Sequence, residues 1–423
     1  MNLFSVSFIV LYLLQFTFFA GLEVLNLRHL RRMGSRCPAV FLQFIDEPLY
    51  RATMDYTRDK TVLGMARDAV TEVLLLAMVV SGILAMLDAR LSEVLQSPAA
   101  RGLFFFLVPG LILHVAGLPF EYRRTFVIED RYGFNRTTRG RWVMDQVKGG
   151  LLSLVIFAPL LLLVLWLIRA YPETWWLWAF GAVSAVQFLV AVLYPRCIAP
   201  IFNRFRPLDD RLLAEKVRGL MDRNGIRVNR ILEMDAGVRS RHSNAYFTGL
   251  GRTKQIVLFD TLLESHPHDE ILAVLAHEAG HFKGRHILKQ LAVSELALLV
   301  GLYGTARLLE WPLLTSAFGF EQAPHHAALF ILMVLWQKAG AFLLPFFMAQ
   351  SRRFEREADA FSARMLGTAE PLITAFKRMA AHNLANLVPH PFYVAFHYSH
   401  PPLAERISLL ENAFNTPLRG DAG

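Results

Sequence analysis

Seven apolar stretches, each near the roughly 20 residues that a helix needs to cross a bilayer, constrain what this 423-residue chain can become. They cover residues 3–25, 69–87, 103–119, 151–168, 175–194, 287–309 and 327–348. Backbone in lipid must satisfy its own hydrogen bonds, which restricts such stretches to helices. The expected fold is mostly α, with seven transmembrane helices. Composition agrees, because 54% hydrophobic residues and only 19% charged ones are unusual in a soluble chain. The first stretch lacks the basic start and small-residue cleavage site of a signal peptide, so it reads as a retained helix. Trp175, Trp176 and Trp178 suit an interfacial belt at the start of the fifth.

The net charge of +9 raises the question of nucleic acid. The basic residues lie in blocks beside apolar segments, however, without interleaved aromatic platforms, and membrane topology accounts for them better. Eight fall between 28 and 67 and seven between 123 and 148, whereas the alternate loops hold little beyond Arg90, Arg101 and Arg169. Positive loops stay inside. The N-terminus is thus expected outside, and the polar region after the fifth span and the C-terminus in the cytosol. Cys37 and Cys197 then both lie on the reducing side as free thiols.

Within that polar region, residues 209–224 read as an amphipathic helix stopped by Asn224-Gly225. Strand-like runs follow at 227–233, 243–248 and 255–259, with Gly249 and Gly251 marking a turn, which predicts a small sheet. Asp260 is placed to cap the next element. A further helix should begin near His268 and run on toward, or into, the sixth span.

That helix carries HEAGH at 277–281. Positions i and i+4 share a helix face, so His277 and His281 can aim their imidazoles at one zinc ion, with Glu278 beside them to take a proton from water. An isolated match of this kind also arises by chance. A catalytic zinc site needs a third protein ligand and an open position. The candidate is SRRFEREADAF at 351–361, where Glu355 could complete the set and Asp359, four residues on, could accept an N–H from a ligating imidazole. The competing reading is a solvated, salt-bridged face made of Arg352, Arg353, Glu355, Arg356, Glu357 and Arg364. Among polar residues inside spans, Glu295 and Lys338 could pair or line a wet cavity, as could Gln337. His114 reads as a hydrogen-bonded packing residue, and His286 as a chamber group or interfacial charge that is not a ligand.

Together with HEAGH and EREAD, the stretches HSNAYFTGLGRTKQIVLFDTLL (242–263), FHYSHPPLAERI (396–407), YTRDKTVLGMARD (56–68), TFVIEDRYGFNRTT (125–138) and YPRCIAPIFNRFRPL (194–208) resemble the integral-membrane M48 metallopeptidases of the Ste24 type, the CAAX prenyl protease 1 family. The resemblance implies seven transmembrane helices enclosing a water-filled chamber, with a cytosolic zincin-like catalytic region at one end. It implies one zinc ion held by His277, His281 and Glu355, with Asp359 behind them and Glu278 as general base. His400 and Arg406 would face the centre and help bind the substrate carbonyl or developing oxyanion. Asn244 would lie on an edge strand that pairs with substrate backbone.

The resulting division is 1–195 for the first five spans and 196–286 for the cytosolic sheet and motif helix. Residues 287–350 supply the last two spans and 351–423 the C-terminal helices, all in one catalytic unit. Expected partners are the bilayer and a peptide or protein substrate, prenylated at its C-terminus or a membrane protein, with no nucleic acid; the chain is expected to act as a monomer. Its preference for Arg over Lys suggests a bacterial homologue in the inner membrane. An HtpX-type quality-control protease is the enzymatic rival, and a seven-helix receptor or transporter the rival of another class.

Overall fold

A computed structural model describes residues 2–34, 36–248, 255–320 and 324–414. The helices in chain order are α1 (Leu3–Met33), α2 (Glu47–Val80), α3 (Ile83–Val94), α4 (Pro98–Arg123), α5 (Arg139–Ala170), α6 (Trp175–Leu193), α7 (Ala199–Phe202), α8 (Arg211–Arg223), α9 (Asp260–Ser265), α10 (His268–Lys283), α11 (His286–Leu309), α12 (Pro312–Thr315), α13 (His325–Ala341), α14 (Leu344–Leu366), α15 (Glu370–His382), α16 (Pro391–His397) and α17 (Leu403–Phe414). The strands are β1 (Phe205–Pro207), β2 (Arg230–Met234), β3 (Ala245–Thr248) and β4 (Gln255–Phe259).

Five helices are individually long and apolar enough to span a membrane, or up to seven spans if two bent pairs each count as one. The pairs are α2 with α3, bent by 65°, and α13 with α14, bent by 55°. At the first bend Ser81 ends α2 and Gly82, at φ +80°, starts α3, a left-handed conformation open to glycine. Helix starts follow local chemistry: Asn2, Asp46, Ser97 and Thr138 each accept the N–H of the residue three positions on. The membrane core gathers Phe4 and Phe8 of α1, Phe105 of α4, Phe318, and Phe330 and Ile331 of α13.

Lys338 is 2% exposed and donates to Glu72 at 2.5 Å, while its ammonium lies 4.4 Å from the centre of the Tyr12 ring. Tyr12 also donates to Glu72, so α1, α2 and α13 meet at one charged knot. Glu295 is elsewhere, accepting from Ser184 of α6 at 2.5 Å. Of the two sequence readings for Glu295 and Lys338, the mutual pair is not formed: each group has a partner on another helix. Removing one member of a buried pair strands the other. Lys338→Met should lower stability by about 3 kcal/mol or more, and Glu72→Gln added to it should restore part of that, read from thermal unfolding in detergent. His114 is exposed on α4 instead of packed.

The sheet has the order β1-β2-β4-β3, with β2 and β4 parallel and the other pairs antiparallel. The predicted strands are recovered, the first two starting two or three residues later and the third with the expected bounds; β1 is an addition, and the turn expected at Gly249 and Gly251 lies outside the described residues. α8 begins on the Asp210 cap and stops at Asn224 before Gly225 at φ +67°. Its Leu213, Val217 and Met221 pack with Ile231, Ile256 and Leu258 of the sheet and with Ile271, Leu275 and Ala279 of α10. Asp260 is the first residue of α9, not its cap; its Oδ1 accepts the N–H groups of Thr261 and Gly237, each at 2.8 Å. α10 does not continue into the sixth span. Gly284 closes it and Arg285, at φ 52°, turns the chain before α11. Cys37 and Cys197 are both free.

Candidate active site

α10 is buried along most of its length because the sheet lies on one side of it and α14 and α15 on the other. Small residues allow the α10–α14 approach: a Cβ placed on Gly280 would sit 2.8 Å from the Ala358 Cα and 3.1 Å from its carbonyl oxygen. Ser362 of α14 also donates to the Ala273 carbonyl of α10 at 2.8 Å. This contact sets Glu355 opposite the two histidines. Since backbone atoms cannot yield as a flexible side chain can, Gly280→Ala should destabilise the fold by about 1–3 kcal/mol and weaken metal binding, read from detergent melts and bound-metal analysis.

The Nε2 atoms of His277 and His281 lie 3.1 Å apart. Glu355 Oε1 is 3.2 Å from His281 Nε2, and Oε2 is 3.4 Å from His277 Nε2. Three atoms bound at about 2.0 Å to one ion in tetrahedral directions would be about 3.3 Å apart. The set therefore has the dimensions of a metal site, and His277, His281 and Glu355 form a group able to hold one. Glu355 Oε2 is buried without a hydrogen-bond partner, with the Arg406 guanidinium near it at 3.4 Å, and retains a lone pair that a bound cation could take up. Burial alone would push the His277 imidazole down, but the Asp359 and Glu355 carboxylates prevail and raise it to about 9, so the field at this nitrogen favours positive charge.

Around this set the remaining predicted residues fall into two groups. Asp359 Oδ1 lies 2.8 Å from His277 Nδ1 and is held in turn by Arg406, whose Nε and Nη2 reach its two oxygens at 2.8 and 2.5 Å. His400 is largely exposed, with Nε2 3.2 Å from Glu355 Oε1. Glu278 is half-buried between His277 and Ala279, and burial raises its carboxyl above the ordinary glutamate range. Asn244 stands apart from this cluster. It is exposed just before β3, the end strand of the sheet; its carbonyl accepts from Phe259 at 3.1 Å and its Oδ1 accepts from the N–H of Ala245 at 2.8 Å. On the 351–361 helix the solvated, salt-bridged face is limited to residues such as Arg353 and Glu357, which form an i, i+4 ion pair, whereas Glu355 and Asp359 are buried on the side that faces the histidines.

Residues 207–413 match peptidase family M48, and residues 26–204 match the CAAX prenyl protease N-terminal region with its five membrane helices. The CAAX prenyl protease 1 of Saccharomyces cerevisiae is 32% identical over 89% of this chain and 89% of its own length. The chain belongs to the M48 CAAX prenyl protease 1 family. A homologue from Oryza sativa subsp. japonica is 35% identical over 71% of this chain and 70% of its own. The crystal structure of S. mikatae Ste24p superposes with a TM-score of 0.91 at 28% identity, covering 97% of this chain and 100% of that one. This M48 member is thus a multi-pass integral membrane metallopeptidase, which displaces the receptor or transporter reading.

Sequence reasoning passed over other contacts near the site. His242 stacks on Phe134 at 4.3 Å and its Nδ1 meets Asn383 Oδ1 at 3.1 Å, joining the segment after α4 to α15. Glu270 of α10, 3% exposed, takes two hydrogen bonds from Arg378 at 2.9 and 3.1 Å. His286, set aside as a ligand, lies against His281. Its place five residues after HEAGH was the only available signal, and a helix assumed to be continuous pointed it elsewhere.

Proposed function

We propose that this M48 peptidase is a zinc endopeptidase whose metal is held by His277, His281 and Glu355. The observation that carries the reading is the spacing of 3.1 to 3.4 Å among their facing atoms. Zinc bound there would act as a Lewis acid and lower the pKa of water toward neutrality. Glu278, on the same helix and biased toward protonation by burial, is suited to accept the proton of the attacking water and deliver it to the leaving amine. Asp359 fixes the His277 ring by accepting its Nδ1–H. Exposed His400, whose Nε2 lies 3.2 Å from Glu355 Oε1 and whose Nδ1 faces the Ser399 hydroxyl at 2.9 Å, would donate to the carbonyl oxygen by exchanging the Glu355 contact for it as charge develops. Arg406 is committed to Asp359, so its part is to hold that carboxylate and through it His277.

Substrate backbone has a place to bind. Among the described residues β3 pairs with β4 on one side only, and its Ala245 packs in the same cluster as Ala279, the neighbour of Glu278. An extended peptide added to β3, with Asn244 at its start, would lie beside the metal group. Seven spans, with each bent pair counted as one, fit the helix lengths, and the proposal has them enclose a water-filled chamber. The distribution of basic residues supports an outside N-terminus and a cytosolic catalytic site and C-terminus; a bacterial inner membrane and a single chain as the working unit belong to the same proposal. Residues 196–286 and 351–423 would form one catalytic unit with the spans 1–195 and 287–350. The relatives' names make a prenylated C-terminal peptide the first substrate to try. Purified protein should contain about one zinc per chain and cleave peptides from a library of prenylated and unmodified sequences, with chelator stopping cleavage and zinc restoring it. Full cleavage without bound metal would overturn the reading.

A further inference from the structure

The two histidines of the metal group each have an outer partner, and the partners differ. Behind His277 stands Asp359. Behind His281, on the far side of its ring from Glu355, His286 Nδ1 lies 3.1 Å from His281 Nδ1. His286 is 3% exposed, its ring stacks on that of Phe354 at 4.3 Å and 6°, and its Nε2 is 3.1 Å from Glu357 Oε2. Glu357 is itself held by Arg353 Nε at 2.9 Å.

The chain is shaped to put His286 there. Arg285 adopts φ 52°, which swings the next residue back over the end of α10, and a Cβ on Gly284 would collide with the His286 ring. A non-glycine residue held at positive φ is uncommon and strained, so tertiary contacts must sustain it.

We propose that His286, oriented by Glu357, is a positioning residue that sets the tautomer and angle of His281 for metal binding; this rests on His281 being a metal ligand. A carboxylate can only accept, so the His286 Nε2 facing Glu357 carries the proton. His286 Nδ1 is then a lone pair, which accepts Nδ1–H from His281. That leaves His281 Nε2 unprotonated toward Glu355 and the metal, the protonation state that ligation requires. A neutral imidazole thus does for His281 what Asp359 does for His277, with the Glu357 carboxylate kept one ring further from the metal group.

The test is metal affinity in detergent-purified full-length protein, measured by competition between zinc and a chromophoric chelator, with the melting temperature of chelator-treated protein recorded alongside. His286→Ala should weaken zinc binding roughly 10–100-fold. Glu357→Ala should weaken it in the same direction. His286→Asn, whose amide can accept from His281 and donate to Glu357, should recover most of the loss. Cobalt-loaded His286→Ala should also show a displaced visible absorption band, since the ligand angle changes. Zinc affinity within threefold of the parent in both alanine variants would overturn the inference, as would a loss in His286→Ala that the Asn variant does not recover and Glu357→Ala does not share. His281→Ala tests the underlying ligand reading separately. If it retains one tightly bound zinc, that reading fails; if it loses zinc while His286→Ala keeps it, only the positioning role fails.

Discussion

Glu278→Gln is expected to lower the rate of peptide cleavage by about 10²–10⁴-fold while leaving the bound metal and the fold intact. Gln preserves the shape and half-buried setting of the side chain but cannot take a proton. His277, His281 and Glu355 face one another without using Glu278, so removing its carboxylate should not dissolve the metal group. The measurement pairs single-turnover cleavage with metal content and thermal unfolding on the same sample. A variant with full activity would remove Glu278 from the chemistry. A variant that loses its metal would make it part of the binding set.

Much of this site was legible because α-helical spacing is local. His277 and His281 share a face by arithmetic, and so do Glu355 and Asp359. What spacing could not supply is which surfaces meet. The α10–α14 contact depends on Gly280 lying against Ala358, more than seventy positions away. Neither residue looks exceptional alone. The Lys338–Glu72 pair was not legible because hydropathy ranks spans but does not say which faces touch; Glu295, also an intramembrane acid, was as open a partner on sequence alone. His286 was unreadable for a different reason. An apolar pattern running from α10 into α11 suggests one continuous helix, whereas tertiary contacts with Phe354 and Glu357 favour a break at Gly284-Arg285 that reverses the ring.

Replacement of Arg406 should be the most damaging change to stability, because it holds two buried carboxylates in register. Its guanidinium is 5% exposed, binds both oxygens of Asp359, lies 3.4 Å from Glu355 Oε2 and covers the Phe376 ring at 4.1 Å. Arg406→Gln removes the charge and leaves Asp359 facing Glu355 with His277 alone between them. Breaking a buried pair from one side costs about 3–5 kcal/mol, and release of Asp359 should also free the His277 ring, with metal affinity falling in parallel. Arg406→Lys keeps the charge but cannot form the two parallel N–H bonds or lie flat on Phe376, so it should recover only a minor part of the loss. An oxyanion donor would behave otherwise. If Arg406 acted on the substrate oxygen, either replacement would leave a stable, metal-loaded protein with a depressed kcat. Melting temperature, bound metal and kcat measured together on the two variants separate these roles, since only a brace makes all three fall at once.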